Sequence, residues 1–264
     1  MKSSPWLIGS PLASRKLRLY CFSYAGGSAH AYSSWQAALG PDIEVCAIQL
    51  PGRGMRMAEQ PYTSMQELVV ALAQVLTKQD RTPFAFFGHS MGALLALELA
   101  RFCARHSLDM PLCLIASGAA APQFDRPPRN LHTLSDDALI DALRDYDGSP
   151  PEVLEHRELM ALLLPMIRAD FQLIESHVYR AGRPLELPLT VFVGDGDGQI
   201  TQESAPHWQK ETHGPCQVRQ FQGGHFFINS DRAAVLSCLN ATLMAQLAPP
   251  GEKAPAKAAQ FSNE

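Results

Sequence analysis

F-A-F-F-G-H-S-M-G-A-L-L-A-L-E-L, residues Phe84–Leu99, is the stretch that decides the fold. An apolar run carrying Phe84, Phe86 and Phe87 stops at Gly88, and Gly92 opens an Ala/Leu run with strong helix preference. Between them stands Ser90, so the sequence reads G-x-S-x-G at a strand–turn–helix junction, the context that marks a nucleophile elbow. Glycines at both flanks permit a turn too tight for Cβ atoms. Such a turn lifts the serine hydroxyl above the sheet edge and aims the amide of Met91 at the place where an oxyanion would form.

Working outward, apolar strands and helices alternate. Leu17–Ser23 is a strand ending in the glycine loop Tyr24-Ala25-Gly26-Gly27-Ser28-Ala29, and Ile43–Leu50 is a second strand closed by Pro51-Gly52-Arg53-Gly54. Thr63 or Ser64 caps a helix with Gln66 and Glu67 as capping partners, and Leu68, Ala71, Leu72, Val75 and Leu76 give it an apolar face. The elbow strand Phe84–Phe87, the helix Ala93–His106 and the strand Leu112–Ala116 follow. This rhythm predicts an α/β protein with a mostly parallel, doubly wound sheet. It breaks near Ala121, after which Asp136–Tyr146, Pro151–Leu164 and Arg168–Tyr179 read as helices. A helical insertion over about 122–182 is the expected lid. Strands return at Leu189–Val193 and Gln217–Phe221, with a helix near Glu203–Glu211 between them and a last helix capped by Asp231 and running to Leu247. The expected organisation is a poorly ordered lead over 1–15, one domain over 16–247, and a Pro/Ala/Lys-rich disordered tail over 248–264.

A serine hydroxyl needs a base within hydrogen-bond reach and a third group to orient that base. In the α/β-hydrolase arrangement these follow in the order Ser, Asp or Glu, His, each just beyond a strand. His225, in Gly223-Gly224-His225-Phe226-Phe227, is the one histidine of nine that follows a late strand behind two glycines. His89 sits inside the elbow, pointing away from Ser90. His106 and His207 fall on helices, His213 at a helix end, and His132, His156 and His177 in the insertion. Asp195 and Asp197 both stand in the loop after Leu189–Val193. Asp197 is preferred because the later carboxylate swings more readily toward the histidine, which would leave Asp195 a solvated turn residue. A second oxyanion amide is expected from the early glycine loop, at Ala25.

Composition narrows the alternatives. The chain has 264 residues, 46% of them hydrophobic and 18% charged, which is enough for a large core. A net charge of −4 argues against a nucleic-acid partner, and no segment approaches the ~20 apolar residues that span a bilayer. Six scattered cysteines without a C-x-x-C pair, and an N-terminus without an apolar h-region, predict a reduced, cytoplasmic protein. No metal is expected, since the histidines and cysteines lack ligand spacing.

With these residues placed, the sequence resembles the type II (external, editing) thioesterases of nonribosomal peptide and polyketide assembly lines, members of the α/β-hydrolase superfamily. The likeness runs from Leu17 to Leu247 through F-S-Y-A-G-G-S-A at 22–29, Q-L-P-G-R-G-M-R at 49–56, G-H-S-M-G at 88–92, P-M-I-R-A-D-F at 165–171, G-D-G-D at 194–197 and G-G-H-F-F at 223–227. Gly54 stands where the family often has an acidic residue, and Gly198 where a proline often follows the catalytic Asp. The resemblance implies Ser90 as nucleophile, Asp197 as orienting acid, His225 as base, and Ala25 and Met91 as oxyanion amides. It further implies a cofactor-free monomer acting on acyl or aminoacyl groups held by the phosphopantetheine arm of a carrier protein. Met166 and Phe171 would then line the acyl pocket, and Arg126, Arg129, Arg180 and Arg183 would offer a basic docking face. The competing readings are a medium-chain fatty acyl thioesterase, a small-ester carboxylesterase, or a non-catalytic hydrolase-fold binding protein, which would usually have lost a member of the triad.

Overall fold

The computed structural model describes residues 4–9, 12, 14–124, 129–146, 148, 150–198, 200 and 204–248. Strands β1 (Leu7–Ile8), β2 (Leu17–Phe22), β3 (Ile43–Ile48), β4 (Phe84–His89), β5 (Leu114–Ser117), β6 (Leu189–Gly194) and β7 (Cys216–Phe221) form one sheet in the order β1-β3-β2-β4-β5-β6-β7. Every pairing is parallel except β1 with β3. Residues 1–15 are expected as a poorly ordered lead, yet β1 adds an antiparallel edge there, and Trp6 lies against the Arg56 guanidinium at 4.0 Å. Three apolar residues bounded by Pro5 and Gly9 are too short a run to read as a strand.

The central strands are mostly apolar because both faces are covered, and the buried charges of Arg18 in β2 and Glu44 in β3 pair with each other. In β2, Tyr20 and Phe22 face one core while Leu17, Leu19 and Cys21 face the other; in β4, Phe86 and Phe87 divide the same way. Helices α1 (Met65–Leu76) and α2 (Met91–Arg105) cover the first face. The second is covered by the turns around Tyr32 and Trp35 and by α7 (Arg232–Leu247), which follows the short α6 (Phe227–Ser230). Ser64 caps α1 by accepting from the Glu67 amide. Asp231 precedes α7 but does not cap it with its side chain. Its carboxylate instead accepts from the Gln222 amide at 3.0 Å, tying the helix start to the loop beyond β7. Ala205–Glu211 winds as a 3-10 turn around the buried Trp208 rather than as an α-helix.

Between β5 and β6 lie α3 (Asp136–Arg144), α4 (Pro151–Glu155) and α5 (Arg157–Glu175), with an apolar cluster of their own that includes Leu139, Met160, Leu164 and Ile167. The expected interruption between Leu164 and Arg168 is absent. The break falls at His156, whose backbone is extended and whose ring accepts from the Leu159 amide. Helix α5 then runs through Pro165, losing one helical hydrogen bond there, because Met166, Ile167, Ala169, Asp170 and Phe171 bury its next turn. All six cysteines lie within the described residues as thiols, Cys21, Cys46 and Cys113 buried among them. Among the described residues no helix is long and apolar enough to cross a membrane. The expected C-terminal tail lies, from residue 249, outside the described residues.

Because β2, β4, β6 and β7 run in one direction, the loops after Phe22, His89, Gly194 and Phe221 all open on the same edge of the sheet. That is the edge at which open α/β sheets place their ligands.

Candidate active site

Ser90 connects β4 to α2 with φ 55° and ψ −116°, outside both the right- and left-handed helical wells. Its amide donates to the Ser117 carbonyl at 2.8 Å, and its carbonyl accepts from Ala93, so the turn is held on both sides. The flanking glycines are required by close approach. A Cβ on Gly88 would collide with the Gly92 carbonyl, and one on Gly92 with the Phe22 carbonyl. The result is the sharp elbow that the spacing predicts, with Met91 in the first turn of α2, whose amides have no intrahelical acceptor.

From β7, the loop Gly223–Phe226 brings the His225 ring over this elbow. His225 Nε2 lies 3.0 Å from Ser90 Oγ, and His225 Nδ1 lies 2.9 Å from Asp197 Oδ2. Both His225 and Asp197 are 7% exposed, so the contact between them is largely shielded from water. Asp195 turns the other way. It is exposed, and its carboxylate accepts from the Gly223 amide at 2.8 Å, bracing the loop that carries the histidine.

Beneath His225 lies His89, fully buried, with Nδ1 3.0 Å from Ser117 Oγ and its ring centroid 5.3 Å from that of His225. Burial pushes the His89 pKa well below the ordinary histidine value, and the neighbouring His225 pushes it in the same direction. The floor of the site is therefore a neutral ring, which adds no competing charge. Tyr24 packs edge-on against Phe226 at 4.8 Å, burial raising its phenol pKa, and Tyr146 from the helical segment reaches within 5.7 Å of His225. Of the other histidines, His132 pairs with Glu175 and His213 with Glu186, while His177 lines the same cavity as Ser90 and His225.

Ser90 and His225 open onto a cavity of 740 Å³. Ala25 and Met91 line it beside them, while the Gly26 amide is taken by Asp170. Leu94, Leu163, Ile167 and Phe171 give its far wall an apolar character. Met166 is not among the lining side chains. It is buried in the cluster between α5 and its neighbours, one helical position away from the wall. Of the four arginines expected on a docking face, Arg126 lies outside the described residues. Arg129 lines the cavity mouth, 5.1 Å over the Tyr146 ring and 3.7 Å from Asp145. Arg183 sits exposed beside Glu186, and Arg180 lines a separate groove between α1 and α2. Among the described residues no three His, Cys, Asp or Glu side chains converge as metal ligands do. Sequence reasoning assigned no task to Tyr146, which is 79 residues from His225 in the chain and reaches it only through the packing of α3.

A thioesterase domain model matches residues 17–243. The chain is 39% identical over 245 residues to the gramicidin S biosynthesis protein GrsT of Aneurinibacillus migulanus, covering 92% of this chain and 96% of that one. Its structure is similar to that of the type II thioesterase BorB from the borrelidin biosynthetic cluster, with a TM-score of 0.84, 37% identity, and coverage of 92% of this chain and 99% of that chain. The RedJ thioesterase of the prodiginine pathway in Streptomyces coelicolor superposes with a TM-score of 0.80 at 36% identity, covering 89% of this chain and 90% of that one. The chain belongs to the thioesterase family of hydrolases, in its type II branch, and carries the α/β-hydrolase fold.

Proposed function

We propose that the protein hydrolyses acyl and aminoacyl thioesters carried on the phosphopantetheine arm of carrier proteins, clearing misprimed or stalled groups from a nonribosomal peptide or polyketide assembly line. The observation that carries this reading is the relay Asp197–His225–Ser90 opening on an apolar cavity. With Nδ1–H donated to Asp197, His225 Nε2 is free to accept the Ser90 proton. Ser90 Oγ attacks the thioester carbonyl carbon, and the oxyanion is met by the amides of Ala25 and Met91. Collapse breaks the C–S bond, and His225 returns the proton to the departing thiolate. Water, deprotonated by the same imidazole, then attacks the Ser90 ester and releases the acid. No step needs a cofactor. The helical segment over 122–182 serves as the lid, with Phe171 on the acyl wall. The protein is read as a cytoplasmic monomer whose partners are carrier proteins.

The test is intact-mass spectrometry of an acetyl- or aminoacyl-loaded carrier protein incubated with the enzyme, with Ser90→Ala and the matching free thioester in parallel. Fast, Ser90-dependent unloading with slow turnover of the free thioester is expected. Equal rates on both would indicate a general fatty acyl thioesterase or esterase, and unloading by Ser90→Ala would overturn the reading altogether.

A further inference from the structure

Arg53 of the P-G-R motif at 51–53 and Asp170 of the R-A-D-F motif at 168–171 take no part in the reaction as written. In the folded chain they are the two halves of one interaction. Arg53 is 3% exposed and Asp170 1%. Arg53 Nη1 donates to Asp170 Oδ2 at 2.8 Å and Nη2 to Oδ1 at 2.6 Å, a two-pronged contact between residues 117 apart in the chain. Both partners also grip the same loop. Asp170 Oδ2 accepts from the Gly26 amide at 2.8 Å, and Arg53 Nη1 donates to the Gly27 carbonyl at 2.9 Å. Gln49, from the same motif as Arg53, accepts from the Ala29 amide and donates to the Arg53 carbonyl.

A buried ion pair is a poor device for stability alone, since apolar residues of similar volume often do as well or better. Here the charges are spent on backbone groups of the loop that carries Ala25. Gly27 N donates to the Tyr24 carbonyl at 2.9 Å, closing a tight turn around Ala25. In a trans peptide the N–H points opposite to the C=O of the same unit, so a fixed Tyr24 carbonyl fixes the direction of the Ala25 amide. The turn bends through Gly26 at φ +76°, a conformation that L side chains rarely adopt, with Ile167 of α5 against it. Without its side-chain grips, such a turn is free to flip a peptide.

We infer that Arg53 and Asp170 are positioning residues, holding the 24–28 turn so that the Ala25 amide stays aimed at the oxyanion. This rests on the proposed Ser90 chemistry. Because α5 also supplies Ile167 and Phe171 to the cavity, the pair ties the acyl wall and the oxyanion loop into one unit.

The test compares wild type with Asp170→Asn and with the charge-neutral double variant Arg53→Gln/Asp170→Asn. Each is checked for cooperative melting before kinetics on a pantetheine thioester. Two probes are titrated: an alkylboronic acid, which adds to Ser90 Oγ as a tetrahedral anion, and an alkyl pantetheine thioether, which fills the cavity but cannot be attacked. Misplacing one oxyanion donor should lower kcat by about 100-fold and weaken the boronate in parallel. KM and thioether affinity should stay within about three-fold, as expected when only transition-state binding is lost. Wild-type kcat in a folded variant, parallel loss of boronate and thioether affinity, or failure of both variants to fold would each overturn the positioning role. A wild-type boronate complex that survives Ser90→Ala would instead place the failure in the Ser90 reading.

Discussion

The backbone at Ser90 makes a prediction that is independent of turnover. At φ 55° and ψ −116° the residue occupies a region where an L side chain is strained. Such conformations cost about 1–3 kcal/mol, and glycine is largely relieved of that cost. Replacing Ser90 with glycine also enlarges the unfolded ensemble, which opposes the gain by about 0.4–1 kcal/mol. The hydrogen bond to His225 is lost as well, but Ser90→Ala loses it equally, so alanine is the proper reference. The glycine variant should therefore exceed the alanine variant in stability by about 1 kcal/mol. For a chain of this size that is about 2–4 °C in Tm. Urea denaturation of both proteins reads the difference directly, provided the two slopes agree. Both variants should be inactive, so stability would rise at the position where function is lost. A glycine variant no more stable than the alanine variant would refute the claim that the elbow stores strain.

Two further outcomes follow from the loops beyond β6 and β7. Asp197→Asn should lower kcat by about 10⁴-fold, the size of the same change in serine proteases, because the amide favours the wrong imidazole tautomer. Asp195→Asn should leave kcat within about two-fold, since it exchanges one acceptor for another at the Gly223 amide; steady-state kinetics in which Asp195→Asn is the more damaging would reverse the assignment. His89 is held neutral when folded but takes a proton below its ordinary value of 6.5 once unfolded. Stability should therefore fall as pH drops below that value, and by pH 5.5 wild type should have lost about 1 kcal/mol more than His89→Gln. Urea titrations at both pH values check this, and parallel pH profiles would show that His89 is protonated in the fold.

The elbow was legible because everything it requires lies within five residues: two glycines that meet other backbones, and a serine between a strand and a helix. The alternation of strands and helices was legible for a related reason, since each central strand is short, mostly apolar and closed by a turn. Asp195 and Asp197 could not be separated with equal certainty. They share one turn, and which carboxylate reaches His225 depends on the hydrogen bond that Gly223, 28 residues later, offers to Asp195. β1 escaped notice because a two-residue strand has no period to read, and its pairing partner is forty residues away at Ala47 and Ile48. The capping role expected of Asp231 failed for a similar reason: a distant amide, Gln222, competes for the carboxylate.

The misplaced helix break has the largest functional consequence. A helix beginning at Arg168 would leave Ile167 outside it, and the residues around the site would have no common face. As α5 runs unbroken through Pro165, Ile167, Asp170, Phe171 and Ile174 fall at the i, i+3, i+4 and i+7 positions of one stripe. Ile167 then abuts Gly26, Asp170 takes the Gly26 amide, and Phe171 and Ile174 line the cavity. Proline lowers helix preference enough that local sequence argues for a break, by about 3 kcal/mol. Burial of one apolar stripe, with an ion pair to a loop that the helix meets only after folding, outweighs that preference. The local signal therefore fails at the one helix whose register sets both the acyl wall and the backbone beside the serine.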